Sequence, residues 1–400
     1  MRALCEELGR PQDELRFLHV VGTNGKSSVT LLTAALLEAG GVRAGACISP
    51  HVYRWRERTR LAGSELAAAP FEAATDEVRA GIERLRRSVA EGEAGSDADP
   101  PTQFEAAIAI SLVALRDAGV ELAVIEAGLG GRLDATNVIA SEATSLTSVA
   151  LDHTDWLGTT PAMIADEKLA VLEPGTTLVL GRLEPEIEGR ARRHAERLGA
   201  SAVVAEPADA ESVPAGFGPY LRRNAGVALE LAATAIERPA SPEATRETLG
   251  AVRLGGRLEL VPGDPPLLID AAHNEEGARA LAEALVPFGR PRVACLSVLA
   301  DKDAAAIGAA LSTELDLAVC TAADPPPAIG RPGAAALAPE RLAEQLHAAG
   351  IEIEIEIDPE AALERAMAIA RDRGGLAICA GSNYLLRHAW TVRRGQSCSR

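Results

Sequence analysis

Lysine is almost missing from this chain. Lys26, Lys168 and Lys302 stand against 37 arginines in 400 residues. Arginine serves wherever a plain ion pair is needed. Exceptions at Lys26 and Lys168 therefore point to places where a compact ammonium or a neutral amine is wanted. Net basic charge is lacking too: the formal charge is −17. That excludes a general nucleic-acid or anionic-membrane surface and leaves room only for a local basic cleft. No apolar run is long enough to span a bilayer, and the opening MRALCEELGRPQDELR lacks the apolar core of a signal peptide. Six cysteines are scattered without metal-ligand or disulfide spacing, as expected of buried thiols in a reducing compartment. Together these absences predict a cytoplasmic protein.

What is present is strand–helix alternation. Apolar runs RFLHVVG, VRAGACIS, ELAVIEAG, ATSLTSVAL, TTLVLG and SAVVAE alternate with helical patterns over 27–38, TQFEAAIAISLVALRDAG, PAMIADEKLAVL and 184–198. This predicts an α/β fold with a mostly parallel sheet covered on both faces. EGEAGSDADPP (91–101) reads as an exposed loop. A helix over 221–236 precedes a domain boundary. Beyond it RLELV, LLIDAAH, RVACLSVL, DLAVCTA, IEIEIEI and GLAICAG predict a second, smaller α/β domain. The expected division is 1–250, a linker at 251–256, and 257–400. Strict alternation in IEIEIEI (351–357) predicts a half-exposed strand whose glutamates form a solvated face and not a metal site.

HVVGTNGKSSVTLLTAALLEAG (19–40) reads as strand, glycine turn, helix. Gly22 and Gly25 let the backbone N–H groups of a turn that also holds Thr23 and Asn24 point into a cavity. The helix start at Ser27 and Ser28 adds partial positive charge, and Lys26 can reach nucleotide phosphates. Val20 stands where the strict pattern needs glycine, so this is a shortened phosphate loop. Three further polar stretches end strands: ISPH with Ser49 and His51; VIEAGLGGRLDATN with Glu126, Arg132, Asp134 and Asn137; LDHTD with Asp152, His153 and Asp155. Strand ends in a parallel sheet lie beside ligand-binding loops. Lys26, Ser49, Glu126 and His153 are therefore expected on one edge. Glu126 and Ser49 suit a hard cation such as Mg2+, which takes oxygen ligands and phosphate. Taken singly, a strand-end glutamate is more often a cap or an ion pair, and a lone histidine is more often structural.

From about 17 to 386 the chain resembles the Mur-ligase-like ATP-dependent amide-bond synthetases. HVVGTNGKSS, SPHVYRWRERTRLAG, EAGLGGRLDATNVI, LDHTDWLG with EKLAVLEPG, IDAAHN, LADKD and GSNYLL stand in that family's order. GGRLDATN followed by LDHTDWLG resembles its folylpolyglutamate and dihydrofolate synthase branch. The resemblance implies an N-terminal P-loop-type domain and a Rossmann-like C-terminal domain with ATP held between them. It implies that Ser49 and Glu126 hold one Mg2+, that His153 serves a second, and that Lys168 is a carbamate made with CO2. Arginine cannot readily offer the neutral amine which that adduct requires. It implies Asn224 on the adenine side, Arg257 at the phosphates and Asp270 at the ribose. His273 and Ser382 would lie around the incoming L-glutamate, and Arg54, Arg58 and Asp134 on the folate side. Lys302 stays open between the nucleotide end and a structural role. A monomer is implied. Departures from the family pattern are Ser27, where the family carries glycine, mild changes in IDAAHN and SVLADKD, and a shorter stretch before the loop, which bears on dihydropteroate use.

The implied reaction transfers the γ-phosphate of ATP to a carboxylate of a reduced folate or dihydropteroate. The acyl phosphate is then attacked by the glutamate amine, and ADP and phosphate leave. No enzyme nucleophile is needed, so the cysteines are expected to pack. Two alternatives remain: a Mur-type ligase for another acid such as a peptidoglycan precursor, and a nucleotide-binding protein without turnover. The folate-branch motifs weigh against the first, and Lys26, Glu126, His153 and Lys168 against the second.

Overall fold

The computed structural model describes residues 1–90, 100–236, 241–326 and 333–398, those of 393–398 as backbone only. Most of the loop expected at 91–101 therefore lies outside the described residues. The chain divides into two compact units, Met1–Ala215 with Leu221–Arg253, and Gly216–Tyr220 with Leu254–Arg400.

The first unit is built on eight strands: β1 (Arg16–Val21), β2 (Ala44–Cys47), β3 (Thr59–Leu61), β4 (Ser64–Glu65), β5 (Leu122–Glu126), β6 (Ala143–Leu146), β7 (Thr177–Leu180) and β8 (Ser201–Val204). Their order is β4-β3-β2-β5-β1-β6-β7-β8. Every pairing is parallel except the β2–β3–β4 edge. The central strands are buried along almost their whole length, which is why they read as predominantly apolar runs. Val20 pairs with Glu126 on one side and with Ser145 on the other. The C-terminal ends of β5, β1 and β6 therefore stand side by side. The helix Lys26–Ala39 starts directly from β1 and buries Val29, Leu32, Leu36 and Leu37. Each fully buried leucine contributes about 1.5–3 kcal/mol. The helix Gln103–Asp117 opens with a reciprocal cap: Thr102 Oγ1 accepts from Glu105 N at 3.2 Å, and Glu105 Oε2 accepts from Thr102 N at 2.8 Å.

Two elements go beyond the sequence expectation. SPHVYRWRERTRLAG, together with the Ser64–Glu65 that follows it, forms a short turn and the β3–β4 hairpin. AAPFEAATDEVRAGIERLRRSVA forms the helix Ala68–Ala90, which buries Ala74, Val78, Gly81 and Leu85. That face packs with Ala109, Val113 and Ala114 of Gln103–Asp117.

The second unit carries β9 (Glu259–Val261), β10 (Leu267–Ile269), β11 (Arg292–Leu296), β12 (Leu317–Cys320), β13 (Glu352–Ile355) and β14 (Leu376–Ala380). The order is β13-β12-β11-β14-β10-β9, parallel apart from β9. IEIEIEI lies at the edge, and its expected alternation is corrected here. Ile355 and Ile357 are 46% and 67% exposed. Glu354 pairs with Arg365 at 2.7 Å and Glu352 with Arg373 at 3.3 Å. The glutamates face arginines of the helix Pro359–Asp372, Arg365 in its middle and Arg373 at its C-cap, and the hydrogen bond from Arg365 lowers the Glu354 carboxyl.

Cys5, Cys47, Cys295, Cys320 and Cys379 are free and buried. Burial pushes the Cys5 and Cys47 thiols up to about 11, so they are inert. Among the described residues no helix is long and apolar enough to cross a membrane.

Candidate active site

The glycine turn is tied to the end of β6. Thr23 N donates to Ser148 O at 2.9 Å, and Asn24 N to Ser148 Oγ at 3.0 Å. Thr147 Oγ1 donates to Asn24 O at 2.6 Å. Glycine is required at both ends of the turn. A Cβ on Gly22 would lie 1.9 Å from Thr147 Oγ1, and one on Gly25 2.6 Å from Asn224 Oδ1. Gly25 also sits at φ 86° as the residue before the helix. That clash distance places Asn224 against the turn. Lys26 folds back, its Nζ donating to Gly22 O and Thr23 O at 3.0 Å each. Ser28 is buried, and its Oγ has no hydrogen-bond partner among the described residues.

Glu126 is the acidic centre of this edge and is 2% exposed. Its Oε1 accepts from Ser27 Oγ at 3.1 Å and its Oε2 from Ser49 N at 3.0 Å. Ser49 is therefore brought to Glu126 through its main chain, and the hydroxyl beside the carboxylate is that of Ser27. Ser27 Oγ also lies 3.5 Å from Ser49 O. This oxygen-rich donor set fits a hard divalent cation. Among the described residues no three His, Cys, Asp or Glu side chains group around a metal-sized position. Serine oxygens and a modified lysine fall outside that class of donors.

Lys168 stands in the last turn of the helix Pro161–Leu169 and is 4% exposed. Its Nζ donates to Gly22 O at 2.8 Å. The sequence thus separates Lys26 and Lys168 widely, and the fold brings both ammoniums to one carbonyl. The helix is held against the GGRLDATN loop by Arg132 N, which donates to Glu167 O at 3.1 Å. His153 begins the short helix Thr154–Leu157 in the left-handed region, φ 50°. Its backbone N donates to Asp152 Oδ1 at 2.8 Å, and its ring Nε2 lies 3.7 Å from the same oxygen.

On the side of the β3–β4 hairpin, Arg54 is exposed and pairs with Glu65 at 2.9 Å. Arg58 is 9% exposed, with its guanidinium 5.1 Å from the Trp55 ring centroid and 5.9 Å from that of Phe104. Arg58 Nε donates to His51 Nδ1 at 2.8 Å. Burial, and then the Arg58 charge, push His51 down to about 4, so its ring is neutral. Asp134 folds the GGRLDATN loop: Oδ1 accepts from Thr136 N at 3.0 Å and Oδ2 from Leu129 N at 2.7 Å.

In the second unit Arg257 Nη1 donates to Gly256 O at 2.9 Å. Asp270, at the end of β10, is 4% exposed. It accepts from Tyr220 Oη at 2.5 Å, Leu258 N at 2.8 Å and Ala272 N at 2.9 Å. Burial raises its carboxyl, and burial together with Asp270 raises the Tyr220 phenol. His273 Nδ1 lies 2.8 Å from Ala271 O. Ser382, 1% exposed, accepts from Tyr384 N at 3.1 Å. Asp270 and His273 follow β10 and Ser382 follows β14, which pair in parallel, so the three share one edge of that sheet. Lys302 Nζ lies 3.7 Å from Asp301.

Sequence reasoning missed Thr147 and Ser148, which shape the turn, and Tyr220, which holds Asp270. The two adjacent hydroxyl residues closing the apolar run of β6 were the available signal. Tyr220 gave none.

Three comparisons bear on identity. The family described as Mur ligase, glutamate ligase domain, matches residues 256–383. A folylpolyglutamate synthase of Lacticaseibacillus casei is 34% identical over 333 residues, covering 76% of this chain and 76% of that one. A Mycobacterium tuberculosis folylpolyglutamate synthase solved with ADP superposes with a TM-score of 0.86 at 30% identity, covering 98% of this chain and 93% of that one. A bifunctional folylpolyglutamate synthase/dihydrofolate synthase solved with Mn, AMPPNP and L-glutamate superposes with a TM-score of 0.80 at 30% identity, covering 98% and 92%.

Proposed function

The chain belongs to the folylpolyglutamate synthase/dihydrofolate synthase family of ATP-dependent ligases, and from that premise we propose that it joins L-glutamate to the carboxylate of tetrahydrofolate or dihydropteroate. ATP and a divalent cation are the further ligands of this reading. The similar structures with ADP and with Mn, AMPPNP and L-glutamate support it. The observation that carries it is the meeting of Lys26 and Lys168 on Gly22 O, beside a buried Glu126. Lys26 and the N–H groups of the glycine turn make a site for a polyanion, and the Glu126 carboxylate, the neighbouring hydroxyls and the amine of Lys168 stand where its cations would be held.

In this reading a substrate carboxylate oxygen attacks the γ-phosphorus, and the bond to the ADP oxygen breaks. The glutamate nitrogen then attacks the acyl carbon and loses a proton. Phosphate leaves carrying the former carboxylate oxygen. Lys26 and the turn's backbone N–H groups hold the phosphates in line and offset charge growing on the transferred group. Glu126, with Ser27 and Ser49, is proposed to hold one Mg2+, and His153 with Lys168 a second. Bound there, the cations would screen phosphate charge and polarise the phosphoryl oxygen. Lys168 is proposed to act as a CO2-derived carbamate, which replaces a positive charge crowded against Lys26 by a negative one. Asn224 is assigned to the adenine, Arg257 to the phosphates and Asp270 to the ribose. His273 and Ser382 are assigned to L-glutamate, and Arg54, Arg58 and Asp134 to the folate.

The domain assignment follows: 1–250 for ATP, 251–256 as linker, 257–400 for glutamate ligation. A monomer in the cytoplasm completes the proposal. The test is phosphate release with ATP, L-glutamate and either tetrahydrofolate or dihydropteroate. Glutamate-dependent release with at least one acid is expected, abolished in Lys26→Ala with the fold retained. Release with neither acid would overturn the substrate assignment.

A further inference from the structure

His19 lies on β1, three residues before Gly22, and is 1% exposed. Its Nε2 is 2.8 Å from Thr136 Oγ1. The same hydroxyl is 2.6 Å from Asp134 Oδ1. A hydroxyl has one proton to give. Asp134 receives backbone N–H groups from Thr136 and Leu129, and as a carboxylate it has no proton of its own to offer. The Thr136 proton therefore goes to Asp134. Thr136 Oγ1 then faces His19 with a lone pair, so the ring proton must sit on Nε2. Burial keeps the ring neutral by pushing its pKa down to about 4. A neutral imidazole has one proton, and the neighbouring hydroxyl dictates where it goes.

The acceptor count on Asp134 gives this brace a consequence. A carboxylate has about four lone-pair positions, two on each oxygen. Among the described residues Oδ1 is filled twice, by Thr136 N and Thr136 Oγ1, and Oδ2 once, by Leu129 N. We propose that His19 is a positioning residue: as the Nε2–H tautomer it holds the Thr136 hydroxyl on Asp134 Oδ1, which leaves Oδ2 one lone pair for an N–H group on the heteroaromatic end of the acid substrate. This rests on the folate-side assignment of Asp134. His19 touches no substrate. It acts through Thr136, from the strand that also carries the phosphate turn.

Two measurements test it. Long-range 1H–15N NMR of the full chain, with His19→Gln to assign the signal, reads the tautomer without activity. The ring is expected bare at Nδ1 and protonated at Nε2 from neutral pH to about pH 5. An Nδ1–H ring, or one that takes a proton in that range, overturns the brace. Steady-state kinetics reads the consequence. His19→Leu and Thr136→Val are each expected to raise the KM for the folate acid roughly tenfold while kcat and the KM for ATP stay within about twofold. His19→Gln, whose amide nitrogen can donate at the same point, is expected to restore most of the loss. An unchanged folate KM in both variants, or an equal rise in the KM for ATP, overturns the proposal. Thr136→Val, close in volume to the original, carries the test if His19→Leu fails to fold. Absence of folate-dependent turnover in the unaltered protein would remove the substrate reading, and the tautomer measurement would still decide the brace.

Discussion

Lys26 and Lys168 share one acceptor, the carbonyl oxygen of Gly22, at 3.0 and 2.8 Å. Their ammoniums can be no farther apart than those two bonds laid end to end. Like charges at about 5 Å repel by roughly 3 kcal/mol at an effective dielectric near 20. Converting Lys168 to a carbamate turns that repulsion into attraction and adds oxygen donors. Lys168→Arg keeps the charge but cannot form the adduct. Its turnover is expected to fall at least about 100-fold, a loss near 3 kcal/mol of transition-state stabilisation. The unaltered protein should lose activity when stripped of CO2 and regain it with bicarbonate. The arginine variant should not respond. Full activity in both would reject the carbamate.

Glu126 is buried with Ser27 Oγ and Ser49 N on its two oxygens. Glu126→Gln keeps the size and one acceptor but removes the charge. The divalent-cation concentration needed for half-maximal turnover is expected to rise at least about tenfold, with little change in melting temperature. Ser27→Ala removes the neutral hydroxyl that bonds Glu126 but leaves the carboxylate charge in place, and should cost about 1 kcal/mol, a several-fold effect. Equal losses in both variants would argue that Glu126 acts only as a structural acceptor.

Tyr220 donates to Asp270 at 2.5 Å. Tyr220→Phe leaves a buried carboxylate short of one donor and should destabilise the protein by about 1–3 kcal/mol, read from urea unfolding. The loss should shrink in an Asp270→Asn background, where no charge is stranded. Additive effects would contradict the coupling.

The fold was legible where structure is locally encoded. RFLHVVG and ELAVIEAG are mostly apolar because both faces of β1 and β5 are covered, with His19 and Glu126 as the buried polar exceptions. The phosphate turn lies between a strand and a helix start, so a dozen residues carry it. The helix Ala68–Ala90 went unread although Ala74, Val78, Gly81 and Leu85 keep helical spacing. Small and charged residues dilute that signal. IEIEIEI is the half-exposed strand its period implied, but period two could not show that at a sheet edge Ile355 would be exposed as well. At the site, residue types pointed to Glu126 and Lys168. Only folding could reveal that Ser49 reaches Glu126 through its backbone, that Ser27 supplies the hydroxyl, and that Arg58 is enclosed by Trp55 and Phe104.

His19 links stability to pH. Unfolded, its ring takes a proton near pH 6.5; folded, only near pH 4, because of burial. Between those values the unfolded chain binds more protons, so stability falls as pH drops. The contribution is complete above about 6.5, is lost toward about 4, and amounts to roughly 3 kcal/mol. The raised Asp270 carboxyl works in the opposite sense. The comparison that isolates His19 is therefore melting temperature against pH for the unaltered protein and His19→Gln. The variant should show the shallower acid loss; parallel curves would contradict this.

Oxygen-isotope transfer tests the acyl-phosphate ligase account most directly. The folate acid is labelled with 18O in the carboxylate that becomes the amide, and the released phosphate is examined by mass spectrometry. The account predicts one labelled oxygen in each phosphate, in step with amide formed and dependent on Lys26. Amide formation with unlabelled phosphate would contradict it.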